Sequence, residues 1–434
     1  MTAAPVTGEA PAGSELRSLV RLAAPILLVQ LGQFAMAFVD AAMVGRVSKE
    51  ALAAVALGNL LVWGLFVFGQ GVLAVLDSRV AHAIGRGDGD DVRAHVQMGL
   101  VLSVLVALPL MAIGAFAGPL FRALDQPADV VPLAVDYATW AVPSLLPALM
   151  FVALRQSLQA MTTIRPIVAA VLLTNLLNFA LDRVLIFGDF GLPAMGVEGA
   201  AIATLASRIA MTVLLAWFAW PLLRPLVRPF ARSSLRSRAL APLFLAGLPV
   251  GCQYALELGA FSGSTVFLGW IGSEAQAAHT VALKLATASF MVPLAVSLAA
   301  AVRVGHAMGR GDHAAARRSA RTAIATGAVL MAGFGLTFLV MPAVLARTVT
   351  DVQAVVVAAA TLTMIAGVFQ IFDGIQVVCV GVLRGLGDTR TPFYVNVFGF
   401  WVAGIPLGLV LAFEFGLGAP GFWWGLVLGL AQAA

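Results

Sequence analysis

Charged side chains are scarce in this chain. Asp, Glu, Lys and Arg make up 11% of its 434 residues, hydrophobic residues make up 61%, and the mean hydropathy is +0.98. A soluble domain carries about 25% charged residues. Such a chain cannot cover a water-facing surface, so lipid is its expected solvent. Cysteine is nearly absent. Cys252 and Cys379 both fall inside apolar runs, which argues against a disulfide framework. Histidine is limited to five residues, and no H-E-x-x-H pattern, paired Ser/His or metal-ligand cluster is present. These gaps argue against an intramembrane enzyme. No repeated filter loop suggests a channel. No cleavable signal precedes the first apolar run, so the first helix is expected to stay in the protein.

What the chain does have is an internal duplication. The segment RVAHAIGRGD (Arg79 to Asp88) returns as RVGHAMGRGD (Arg303 to Asp312), an offset of 224 residues. The same offset pairs Pro25 with Pro249, Gly45 with Gly269 and Ala51 with Ala275. A unit of half the chain, made of hydrophobic helices, is the pattern of membrane transporters rather than of solenoids. The repeated residues read as fold and turn architecture, with glycines permitting tight turns.

A helix needs about 20 residues to cross the hydrocarbon core. Twelve spans are expected, near 18–44, 51–77, 94–117, 132–158, 163–187, 195–222, 239–270, 275–302, 319–346, 353–382, 392–415 and 419–434. The net charge of +5 and the pI near 9.9 come from arginines that follow the even-numbered spans. Examples are Arg79, Arg86 and Arg93, then Arg155 and Arg165, the run from Arg224 to Arg238, Arg303 to Arg321, and Arg384 with Arg390. This asymmetry is a topology signal, so nucleic acid is not an expected partner, and both termini are expected on the cytoplasmic side of a bacterial inner membrane. The expected fold is an all-α integral membrane protein: twelve transmembrane helices in two six-helix lobes related by a pseudo-two-fold axis along the membrane normal. The expected divisions are a flexible N-terminal arm (1–16), an N-terminal lobe (17–222), an Arg/Pro-rich linker (223–238) and a C-terminal lobe (239–434). A monomer is expected.

Acids inside such spans need a reason, because a carboxylate at the bilayer centre costs roughly 2.5–3.5 kcal/mol. Asp40 shares a helical face with Gln33 and Met36, downstream of Pro25, which can kink the helix and serve as a gating bend. The alternative places Asp40 in water at the span's outer end. Asn175, Asn178 and Asp182 form one stripe of oxygens suited to Na⁺ or a proton relay. Alternatively the asparagines are interhelical glue and Asp182 pairs with Arg183. Glu257 follows Gln253 by one turn, and Asp373 lies between Gln370 and Gln376, so each acid has amides to complete an oxygen shell, for Na⁺ among other cations. Lys284 is a candidate to neutralise one of them.

These residues resemble the multidrug and toxic compound extrusion (MATE) family, in its NorM-type branch. FVDAAMVGRVS resembles the family's first-span signature. NLLNFALDRVLIFG with GVEGAAIATLASR is similar to its fifth and sixth spans, and GLPVGCQYALELGAF to its seventh. AAHTVALKLATASFMVPLAVSLAAAVRVG resembles its eighth, and QIFDGIQVVCVGVLRGLGDTRTPF its tenth. The resemblance covers about 17–434. It implies a Na⁺- or H⁺-coupled antiporter with no other cofactor, exporting amphipathic, often cationic compounds by alternating access. Glu257 and Asp373 would be the coupling pair of the second lobe. Asp40, Asn178 and Asp182 would match the acidic site of the first, with Pro25 as its bending point. A flippase of lipid-linked sugars is the alternative. It would prefer a basic cavity, whereas this one reads as acidic.

Overall fold

The computed structural model describes residues 12–433 apart from Leu192, Arg232, Ser233 and Leu235. Most of the expected N-terminal arm, Arg232 of the linker and Ala434 lie outside the described residues. The helices are α1 (Ala12–Val44), α2 (Lys49–Leu73), α3 (Val75–Arg86), α4 (Gly89–Gly114), α5 (Ala117–Ala123), α6 (Val130–Ala141), α7 (Leu145–Ala160), α8 (Arg165–Phe187), α9 (Gly196–Phe218) and α10 (Trp220–Val227). The second half holds α11 (Ser237–Ile271), α12 (Ser273–Gly309), α13 (His313–Val340), α14 (Pro342–Arg347), α15 (Gln353–Leu386), α16 (Arg390–Asn396), α17 (Ile405–Leu409) and α18 (Gly418–Ala433). π-helical turns at Val397–Gly404 and Val410–Glu414 carry the chain from α16 through α17.

Eleven segments among the described residues are long and apolar enough to cross a membrane. α18, at 16 residues, stands where the twelfth span is expected and packs on α15 and α17. Side chains that a soluble protein would bury lie on the outside, such as Leu176 (69% exposed), Trp217 (69%) and Val329 (72%). Backbone polar groups in hydrocarbon must be satisfied internally, which is why these runs form long helices.

Several helices outrun the expected spans. α2 and α3 together continue to Arg86, past a break at Ala74. α15 continues to Leu386, so its 34 residues reach about 51 Å. This corrects the placement of two arginines. Arg155 and Arg384, counted with the loops, lie inside α7 and α15 and are only 2% exposed. They are not topology markers.

The duplicated segments end in matching turns. Gly87 and Gly311 take φ of 72° and 73°, which closes α3 and α12, and Asp88 and Asp312 then cap α4 and α13. The two copies also pack on each other. α3 lies against α12, where a Cβ on Gly85 would meet the His306 carbonyl and stand 2.8 Å from the Gly309 Cα. A Cβ on Gly309 would meet the His82 carbonyl. Beside this crossing, His82 Nε2 is 2.8 Å from the Gly385 carbonyl oxygen, and His306 Nε2 is 2.8 Å from that of Ala160. Each histidine thus reaches the last turn of a helix in the opposite half. A second crossing brings α2 to α11, where a Cβ on Gly71 would stand 2.6 Å from the Gly251 Cα. The first crossing, beside Arg86 and Arg310, lies at the arginine-rich end.

Candidate functional site

The first acidic cluster is assembled from α1, α6, α8 and α9. The seven-residue spacing of Asn175, Asn178 and Asp182 puts one stripe of α8 against α1. Asp182 is fully buried, and its carboxyl adjoins that of Asp40. Asn178 adjoins the pair, and Thr204 Oγ1 stands 3.5 Å from Asp40 Oδ2. That hydroxyl has one hydrogen and donates it to the Ala200 carbonyl at 2.9 Å. Asp40 Oδ1, both Asp182 oxygens and Asn178 Nδ2 are buried without a hydrogen-bond partner among the described residues. Two adjacent carboxylates in a low-dielectric interior require a proton or a cation between them.

Neighbouring cations do not supply it. Arg183 points away and binds Asp189 at 2.7 Å, both on the exposed side, so the expected alternative of an Asp182–Arg183 pair is not what forms. Arg208 approaches the cluster, but it donates to Ser144 Oγ at 2.8 Å and lies over the Phe66 ring. Asn175 is not part of the cluster. Its Nδ2 donates to the Gly32 carbonyl at 2.9 Å and ties α8 to α1. Pro25 sits half-buried within α1, which runs through it as one helix. Tyr137 of α6 and Thr204 of α9 belong to the cluster and were not legible beforehand. A lone tyrosine or threonine in an apolar run carries no sequence signal.

The second acidic pair lines a cavity of about 400 Å³. α11 contributes Glu257 with Gln253 one turn earlier, and α15 contributes Asp373 with Gln376. The two acids are near enough to repel each other, and neither has a salt-bridge partner among the described residues. Gln253 Oε1 is buried without a hydrogen-bond partner among the described residues, and Gln376 donates to Asn396 Oδ1 at 3.3 Å. Phe261, Phe290, Phe369 and Met291 supply an apolar wall. Three expected cavity residues stand elsewhere. Gln370 is fully buried and donates to Ser289 Oγ, clamping α15 to α12. Lys284 is exposed and is not among the lining residues, so it does not neutralise either acid. Gln33 lies behind the lining, where its Oε1 accepts from Arg155 Nη1 at 3.3 Å.

The cavity is not purely acidic. Its floor holds Arg155 and Arg384. Arg384 Nε donates to Asp77 Oδ2 at 3.2 Å, and its Nη1 donates to the Tyr254 hydroxyl at 3.1 Å. Arg155 Nη1 donates to Gln30 Oε1 at 3.0 Å. A signal for these residues was present in the sequence, because Leu154–Arg155 and Leu383–Arg384 are matching dipeptides of the two halves.

Among the described residues no three His, Cys, Asp or Glu side chains converge to hold a metal. A hard cation would have to draw on the paired carboxylates and the adjoining amide and hydroxyl oxygens. Buried acids in helices long enough to span a membrane, in two halves that cross on duplicated glycines, define an integral membrane protein with a polar interior. The MatE family model matches residues 25–184 and again 249–410, one match per half. The "Probable multidrug resistance protein NorM" of Bradyrhizobium diazoefficiens is 35% identical, over 96% of this chain and 90% of the relative. The protein of the same name from Pseudomonas aeruginosa is 36% identical, over 98% of this chain and 88% of the relative. The chain belongs to the MatE family. Its fold matches the eukaryotic MATE transporter AtDTX14, with TM-score 0.88 at 24% identity, over 98% of this chain and 94% of that one. It also matches an outward-facing multidrug resistance MATE transporter, with TM-score 0.86 at 21% identity, over 98% and 96%.

Proposed function

We propose that this protein is a multidrug exporter that exchanges amphipathic, often cationic compounds for Na⁺ or H⁺ across a bacterial inner membrane. The observation that carries the reading is the state of four acids. Asp40, Asp182, Glu257 and Asp373 sit in membrane-length helices, and none is in a salt bridge among the described residues. Groups so placed favour a visiting cation over a fixed one. The names of the relatives support drug export.

In this mechanism Glu257 and Asp373 take the entering Na⁺ or proton, with Gln253 Oε1 as an additional oxygen. The same charges hold a cationic drug against the aromatic wall, so ion and drug compete. Asp40 and Asp182 form a second proton or cation site in the first half. One charge moving down a 100 mV potential supplies about 2.3 kcal/mol. The halves rock about their crossings to expose the cavity alternately. The arginine-rich end is the cytoplasmic one, and the protein works as a monomer.

Ethidium efflux from vesicles with separately imposed Na⁺ and H⁺ gradients tests this. Glu257→Gln and Asp373→Asn are each expected to abolish gradient-driven export. Normal export by both variants, with loss in Asp40→Asn, would move coupling to the first half. Wild-type protein that exports no dye under either gradient would overturn the reading.

A further inference from the structure

The acids account for cations, but the opposite end of the same cavity is unexplained. There, two guanidiniums lie among the lining residues, each 2% exposed, with one carboxylate for both among the described residues. That carboxylate, Asp77, is in salt-bridge contact with Arg384 and interacts electrostatically with Arg155. Among the described residues Arg155 has no salt bridge of its own. Its contacts are the neutral amides of Gln30 and Gln33, and its Nε has no hydrogen-bond partner. Arg384 Nη2 likewise lacks one. Among the described residues the floor therefore holds one positive charge in excess, with one unpartnered guanidinium nitrogen from each half.

A buried guanidinium without a counter-ion is costly, and it is best satisfied by a planar anion that accepts two hydrogen bonds. The acidic wall stands at the other end. Asp373 and Arg384 are eleven residues apart on α15, about 16 Å along its axis. A cavity with a negative wall and a positive floor is complementary to a molecule carrying both charges.

We propose that Arg155, flanked by Arg384, is an anion-binding subsite: it holds the carboxylate of a zwitterionic compound while the compound's cation faces Glu257 and Asp373. This rests on the transport reading above and assigns a specificity-determining residue within the same cavity. Asp77 keeps Arg384 engaged, which leaves Arg155 as the principal anchor. A compound with only a cationic group uses the acidic wall and gains nothing from the floor.

The test compares rhodamine B, a xanthylium cation bearing a carboxylate, with rhodamine B ethyl ester, which lacks only that negative charge. Binding of each dye to the purified full-length chain in lipid nanodiscs is followed by fluorescence anisotropy. The wild type is expected to bind the zwitterion at least as tightly as the ester. Arg155→Gln is expected to lower the affinity ratio, zwitterion over ester, by about tenfold, since hydrogen bonds to a charged group contribute at least one such factor. Arg155→Lys, which retains the charge without the fork, is expected to fall between. A purely structural role for Arg155 would weaken both dyes together and leave the ratio unchanged, which would overturn the proposal. So would wild-type protein that binds the ester but not rhodamine B, and in that case the export reading stands. Failure of the wild type to bind either dye would overturn both.

Discussion

Gly85→Ala adds one methyl group at the point where the two halves cross. In the structure that carbon would stand 2.8 Å from the Gly309 Cα and against the His306 carbonyl. Carbon atoms rest at about 3.5–4.0 Å, so α3 and α12 must separate by roughly 0.7–1.2 Å. Backbone on both sides of the contact cannot rotate out of the way as a side chain would. Overpacking of this kind costs about 1–3 kcal/mol. The cost falls on the conformation in which the arginine-rich ends touch, and not on one in which they have parted. The population ratio of the two should therefore shift roughly 5- to 150-fold toward separation. Spin labels on Asp90→Cys and Ala314→Cys, both exposed positions beside the crossing, would report it by pulsed electron resonance. Only Cys252 and Cys379 need be removed first. The short distance should dominate in the parent and give way to a longer one in Gly85→Ala. Gly89→Ala, where nothing lies within 4 Å, should leave the distribution unchanged. An unaltered distribution in Gly85→Ala, with an unaltered melting temperature, would refute the packing argument.

Two further outcomes concern stability. Asp77→Asn leaves two buried guanidiniums without a carboxylate and should cost about 3–5 kcal/mol; the paired change Asp77→Leu with Arg384→Met should recover most of the lost melting temperature. Asp388 Oδ1 accepts from the Arg390 and Thr391 amides, both at 3.0 Å, at the start of α16. Slight burial pushes its carboxyl up, but the bonds from Thr391 and Arg390 outweigh this and hold it below the ordinary carboxylate value. Asp388→Ala should therefore lower stability by about 1 kcal/mol near pH 7. The difference should be lost as pH falls below about 4, where the unfolded carboxyl and then the folded one take up protons.

The architecture was legible because its signals are periodic or repeated. Apolar runs of the right length gave the spans, and the 224-residue offset gave the pairing of halves. The acids were legible because a carboxylate in an apolar run is costly wherever it points. Helix ends were not, because α3 and α15 continue past the hydrocarbon into a region where the halves cover each other, and hydropathy reports lipid rather than protein contact. The same blind spot hid Arg155 and Arg384. An arginine near a span's end reads as a loop residue, yet these two turn inward. Amides were harder still. Asn175 and Asn178 differ by one helical turn, but one binds a backbone carbonyl and the other adjoins two acids. Sequence spacing assigns them to one stripe and cannot divide them. Lys284 failed for a related reason, since a single residue step on α12, a rotation of about 100°, separates the cavity-lining Leu283 from the exposed Lys284.

The mutual crossing of the two repeated decamers has a consequence for descent. Each copy presents a glycine to the other's backbone, and each has a histidine that reaches a helix end in the opposite half. That reciprocity is the signature of an isologous contact, in which one patch is its own partner. A polypeptide of half this length would already own a patch through which to associate with its twin, and fusion of two copies would leave either side free to specialise its acids separately.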